Sequence, residues 1–106
     1  GQVRNFRLTL SEAAAADIVG QADWYHQQSG AALARRWERA VSSAVLRIVE
    51  HPTAGTITRF EHPELVNIRR VLVPGYPKHL VFYQVRKFEV LIMRVVHGAR
   101  DLESLF

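Results

Sequence analysis

The spacing of hydrophobic and polar residues changes period twice along the chain. Over residues 3–10, Phe6, Leu8 and Leu10 alternate with Asn5, Arg7 and Thr9, the period-two pattern of a half-buried strand. Ser11 then stops the pattern and is placed to cap a helix, with Glu12 in the first turn where a negative charge suits the helix dipole. Over residues 12–28 the period becomes helical. Ala14, Ile18, Ala22 and Tyr25 share one face, with Ala15 and Val19 beside it. Ser29-Gly30 breaks the helix, and Gly30 is expected as a left-handed cap. A second helix is predicted over residues 31–50, with Leu33, Trp37, Ala40, Val41, Ala44 and Ile48 as its apolar stripe. His51-Pro52 ends it, because the residue before proline avoids helical geometry.

Residues 52–65 have no clear period and read as a loop with Pro52, Gly55 and Pro63, carrying Thr56, Thr58 and Arg59. Period two then returns in three strands, at 66–73, 78–86 and 89–97. A Val73-Pro74-Gly75-Tyr76 turn joins the first two, and a tight Arg86-Lys87-Phe88 connection joins the last two. Both faces of the last two strands are apolar, which makes them central. Leu80 and Phe82 oppose Val81, Tyr83 and Val85; Val90, Ile92 and Val96 oppose Leu91, Met93 and Val95. Two helices with so short a link form an antiparallel hairpin. The hairpin returns the chain to where the first strand stopped, so the strand at 66–73 is expected to oppose the first. The fold class is α+β: an N-terminal strand, a helical hairpin and a three-stranded meander, in one mostly antiparallel sheet with helices on one face. The other face is expected to be open. With 106 residues, the chain is read as one domain spanning 1–106.

Composition narrows the chemistry. A 48% hydrophobic, 23% charged chain is globular rather than disordered. No apolar run approaches the roughly 18 residues that cross a bilayer, and no signal peptide is visible, so a cytoplasmic protein with no membrane partner is expected. The absence of cysteine excludes disulfides, thiol nucleophiles and cysteine-based zinc sites. The five histidines, at 26, 51, 62, 79 and 97, include no pair three or four apart, so neither a metal nor a cofactor is expected. No phosphate-binding glycine loop and no Gly-x-Ser-x-Gly elbow is present. The net charge of +4 comes mainly from the second half, where eight Lys/Arg face five acids. Such an excess suits a nucleic acid or an acidic protein partner, or simply a solvated surface.

Arginines inside strands stand out. Arg69-Arg70 interrupts the first strand of the meander. Arg94 interrupts the last, on the side assigned to Val90, Ile92 and Val96. A charge there needs either a partner or a solvated groove. The structural reading is an ion pair with Glu38, Glu50 or Asp101. The functional reading is an anion groove of Arg69 or Arg70 with Arg94, His97 and Arg100, joined by Lys78 and His79. Trp37 lies on the core stripe. Trp24 lies off its helix's stripe and suits either packing at the hairpin end or a partner surface.

The run Leu80-Val81-Phe82-Tyr83-Gln84-Val85, followed by Val90-Leu91-Ile92-Met93-Arg94-Val95-Val96-His97-Gly98-Ala99-Arg100-Asp101, resembles the C-terminal pattern of the ParE/RelE superfamily of bacterial toxin–antitoxin modules. The likeness extends over nearly the whole chain. It implies the toxin of a type II module, held by a cognate antitoxin, of ribbon-helix-helix type, in a hetero-oligomer. RelE-type members cleave mRNA on the ribosome. That chemistry needs a base for the ribose 2′-OH, cations for the phosphorane and an acid for the leaving oxygen. ParE-type members are expected to inhibit DNA gyrase instead. With only Lys78 and Lys87 as lysines, and no tyrosine after Tyr83, the sequence looks closer to ParE. In the endonuclease alternative Arg69, Arg94, His97 and Arg100 carry a metal-independent reaction. In the toxin reading Arg69, Arg70, Lys78, Arg94, His97, Arg100 and Trp24 contact target or antitoxin. A non-toxic interaction module with the same fold is a third alternative.

Overall fold

The computed structural model describes residues 6–98 and 105–106. The elements, in order, are β1 Arg7–Leu10, α1 Glu12–Ser29, α2 Ala31–Glu50, β2 Thr56–Thr58, β3 Ile68–Val73, β4 Tyr76–Arg86 and β5 Glu89–His97. The five strands form one sheet in the order β1-β5-β4-β3-β2. Only β1–β5 pairs in parallel; the other three pairs are antiparallel. This is the expected α+β architecture, and β4 and β5 are interior strands as their two apolar faces require.

One direction is reversed from expectation. β3 runs parallel to β1, because two antiparallel steps separate it from β5. The antiparallel return is made instead by β2, inside the stretch expected to be irregular. Thr56-Ile57-Thr58 is too short to show a period, yet its β-branched residues suit an extended edge. Its position depends on a clamp. Tyr83, fully buried, donates its hydroxyl to the Pro52 carbonyl at 2.8 Å and accepts from the Gly55 amide at 3.0 Å. A Cβ on Gly55 would fall 2.3 Å from the Tyr83 oxygen, so the close approach needs glycine.

Ser11 caps α1 as expected: its hydroxyl accepts from Ala14 N–H at 3.0 Å. The same hydroxyl donates to the Met93 carbonyl at 2.7 Å, which ties the cap to β5. Because α1 continues through Ser29, Gly30 alone separates the helices. Its φ of 90° is positive, but ψ is 170°, so it is not the left-handed cap. That region is open essentially to glycine only.

Both helices pack on one face of the sheet. Trp37, Val41, Ala44, Val45 and Ile48 of α2, with Ala14 of α1, bury against Val73, Val81, Tyr83, Val90, Ile92 and Val95. In α1 the Ala14, Ile18, Ala22 and Tyr25 side packs inward, but Ala15 and Val19 face outward, Val19 with 61% of its surface exposed. Leu8 and Leu10 share the register of Val90 and Ile92 on this face. At the sheet edge they keep 40% and 41% of their surface exposed.

A bulge opposite Phe82 and Tyr83 corrects the face assignment in β5. Phe82 pairs with Arg94 and Tyr83 with Ile92, so Met93 is the extra residue. The parity of β5 flips there. Val95 joins Val90 and Ile92 on the helix side, and Arg94 and Val96 move to the opposite side with Phe82.

That opposite face is not simply open. Ile68, Phe82 and Val96 form a second apolar cluster with Phe60, Leu65, Leu80, Met93 and Leu105 packed on it. Phe106 stands edge-on to both Phe60 and Phe82, at ring distances of 5.6 and 5.8 Å. The exposed basic part of this face is what remains.

Candidate functional site

The neighbouring arginines of β3 point to opposite sides. Arg69 pairs in register with Tyr83 on the helix side. Its guanidinium donates to the Thr53 carbonyl at 2.9 Å and the Gly55 carbonyl at 2.7 Å, holding the same loop that Tyr83 holds. Arg70 pairs with Phe82 and projects from the other face, donating to Thr58 Oγ1 at 2.7 Å. Beside it is a shallow depression of about 630 Å³, lined by Thr58, Arg59, Arg70, Lys78, Leu80 and Gly98 among others. Among the described residues its charged lining is Arg59, Arg70 and Lys78, all cations. Arg59 was absent from the candidates because it lies in a stretch without a period, where no strand register marked its direction.

Arg94 behaves differently. Its Nε and Nη2 donate to the two carboxylate oxygens of Asp17, both at 2.8 Å, and Nη1 donates to the Leu105 carbonyl at 2.6 Å. The pair is largely shielded, with side-chain exposures of 23% and 14%. The hydrogen bonds that Arg94 donates to Asp17 raise it above its ordinary value. The partner is neither Glu38 nor Glu50, and Asp101 lies outside the described residues. The reason is the length of β1. That strand ends at Leu10, opposite Ile92, so the β5 edge beyond it lacks a neighbouring strand. Ser11 takes over the Met93 carbonyl, and Asp17 accepts the Val95 N–H at 2.9 Å. Asp17 thus finishes the ladder, and Arg94 neutralises it. The signal was Asp17's position three residues after Ala14, at the margin of the buried stripe of α1.

His97 pairs directly with His79, and both rings lie at the helix-side end of the sheet. His79 is buried, with Nε2 2.8 Å from the Tyr25 hydroxyl. Burial, and secondarily the nearby His97, lower His79 to about 4. Trp24 is 54% exposed on α1 and stands edge-on to Tyr25 at 5.5 Å, so it combines packing with a free surface. Arg100 lies outside the described residues. The expected groove is therefore brought together only in part. Arg70 and Lys78 share the depression, whereas Arg69, Arg94 and His97 are each engaged elsewhere. Among the described residues no group of three or more His, Cys, Asp or Glu could hold a metal.

The sequence pattern of the ParE toxin of the type II toxin-antitoxin system parDE matches residues 8–102. The chain belongs to the ParE toxin family. No curated protein sequence matches it. Among solved structures, the chromosomal ParDE toxin–antitoxin system of P. aeruginosa contains a similar fold. Its TM-score is 0.75 at 18% identity, covering 92% of this chain and all of the other. The isolated E. coli RelE toxin is also similar, with a TM-score of 0.56 at 15% identity, covering 93% and 92%. At these identities the likeness concerns the fold. This ParE-family chain keeps the strand, helical hairpin and meander, and its own side chains decide where cations are free.

Proposed function

We propose that this chain is the toxin of a parDE-type module, that it inhibits DNA gyrase, and that a cognate antitoxin neutralises it. The observation that carries the choice of target is the dispersal of the candidate nuclease residues. Cleavage at a ribose 2′-OH needs a base, an acid and phosphate-binding cations around one phosphate. Arg69 is tied to the 53–55 loop, Arg94 is tied to Asp17, and His97 lies with His79 on the helix side. Arg70 and Lys78, with Arg59, supply charge without an adjacent acid–base pair. They are suited to binding an acidic surface. The antitoxin of this reading is a ribbon-helix-helix protein whose C-terminal helix docks beside the helical hairpin, where Trp24 and Val19 are exposed, and whose acidic residues reach Arg70 and Lys78.

The test is a gyrase assay with purified untagged protein. Loss of supercoiling or accumulation of cleaved DNA is expected, with relief by the antitoxin. Intact supercoiling together with mRNA cut on the ribosome would reverse the assignment. The observation favouring that second reading is the basic depression itself, which suits an RNA backbone as well as an acidic protein. Unchanged growth on high-level expression in several hosts would support an interaction module instead.

A further inference from the structure

The end of the helix-covered face holds two histidines that the toxin reading does not use. His79 of β4 and His97 of β5 are directly opposite in register. The Gly98 amide donates to the Lys78 carbonyl at 2.7 Å, one residue outside the pair on each strand. That bond marks 79/97 as a non-hydrogen-bonded pair, the kind whose side chains come closest. The ring centroids are 4.6 Å apart, with the planes at 67°. Two imidazole nitrogens sharing one zinc ion, each bonded at about 2.0–2.1 Å, lie roughly 3.4 Å from one another. Rings this close are within chelating reach.

We propose that His79 and His97 form a two-histidine binding site for a borderline divalent cation of the zinc and copper class. Two observations support it. Among the described residues the buried Nδ1 of His79 has no hydrogen-bond partner, while Nε2 is held by the Tyr25 hydroxyl. With Nε2–H donating to that oxygen, Nδ1 presents its lone pair. A metal-binding imidazole normally has its second nitrogen fixed in this way. His97 is also exposed, and no described atom lies within 4 Å of a Cβ built on Gly98. Water completes the coordination, which makes the site weaker than a closed four-ligand zinc site and favours copper over zinc at a given geometry.

The experiment is calorimetric titration of the untagged full chain with Zn²⁺ alone, followed by Cu²⁺ titration read by tryptophan emission. Trp37, with its ring 5.3 Å from that of His79, is the local reporter. One equivalent of Zn²⁺ is expected to bind, and Cu²⁺ is expected to quench emission to saturation at one equivalent. His97→Ala, at an exposed position, keeps the fold and is expected to weaken Zn²⁺ at least tenfold. His62→Ala, also at an exposed histidine, leaves binding unchanged. Equal affinity in His97→Ala, a loss in His62→Ala of the same size, or no saturable binding by the natural chain would overturn the site. Gyrase inhibition is independent of every arm, so failure here leaves the toxin reading untouched.

Discussion

The two faces of the sheet treat the same residue type in opposite ways. On the helix side, Arg69 spends its donors on two loop carbonyls beside the buried Tyr83 hydroxyl. One residue later, Arg70 projects from the other face into a depression whose charged lining, among the described residues, is cationic. Arg94 shares the parity of Arg70 but reaches the sheet edge, where an unfinished ladder has recruited Asp17. What separates structural from available charge is therefore which unsatisfied backbone groups lie within reach. Residue type and strand position do not decide it.

Substitutions on the helix side should break this contrast most visibly. Gly55→Ala sets a methyl group against an oxygen that is bonded on both sides, and nothing there is free to move away. Its expected cost is about 4 kcal/mol, at the upper end for a point substitution, measured by chemical denaturation. A Gly55→Ala loss no larger than that of a surface change, about 0.5 kcal/mol, would show that the clamp is not rigid.

Acid tests the other end of the same face. Between pH 6.5 and about 4 the unfolded chain binds a proton at residue 79 that the folded chain refuses. Stability is thus full above about pH 6.5 and falls as the pH drops toward 4. At roughly 1.4 kcal/mol per unit, the loss attributable to this residue approaches about 3 kcal/mol. Melting curves from pH 7.5 to 4 measure it, and His79→Gln should flatten the slope over that window.

Asp17→Ala probes the edge between the faces. It leaves the Arg94 guanidinium and the Val95 amide without their carboxylate. The pair is partly exposed, so the expected loss, about 2 kcal/mol, lies below the range for fully buried pairs. For a domain this size that lowers Tm by roughly 10 °C. Arg94→Ala alone should cost a similar amount, and the double variant less than the sum.

The smallest effect on stability belongs to the open face. Lys78→Ala should change stability by less than about 0.5 kcal/mol, and Arg70→Ala, which gives up its bond to the buried Thr58 hydroxyl, by about 1 kcal/mol. Each should nevertheless weaken antitoxin or target binding, with a charge-assisted contact worth about 1.5–3 kcal/mol, or roughly ten- to a hundredfold. Binding and melting measured on the same variants sharpen the contrast. An Arg70→Ala protein that melts early with unchanged affinity would move Arg70 into the structural group.

The chain by itself determined the two helices, the Ser11 cap, the Pro74-Gly75 turn and the bounds of β5, because each depends on local period or turn chemistry. Interior positions for β4 and β5 were equally legible, since two apolar faces require cover on both sides. Other features rest on contacts distant in sequence. β2 exists because Tyr83, 28 residues beyond Gly55, holds the chain there. The bulge that flips Arg94 arises from a register between strands, which no single strand encodes. Asp17 meets Arg94 across 77 positions, because β1 ends before β5 does. Local patterns determine the long helices and strands and their first inward faces, whereas the short edge strand β2 and the sides of β5 beyond its bulge are set by distant partners. Which cations remain free is decided only once backbone groups at edges and loops have taken their partners, and that accounting is tertiary.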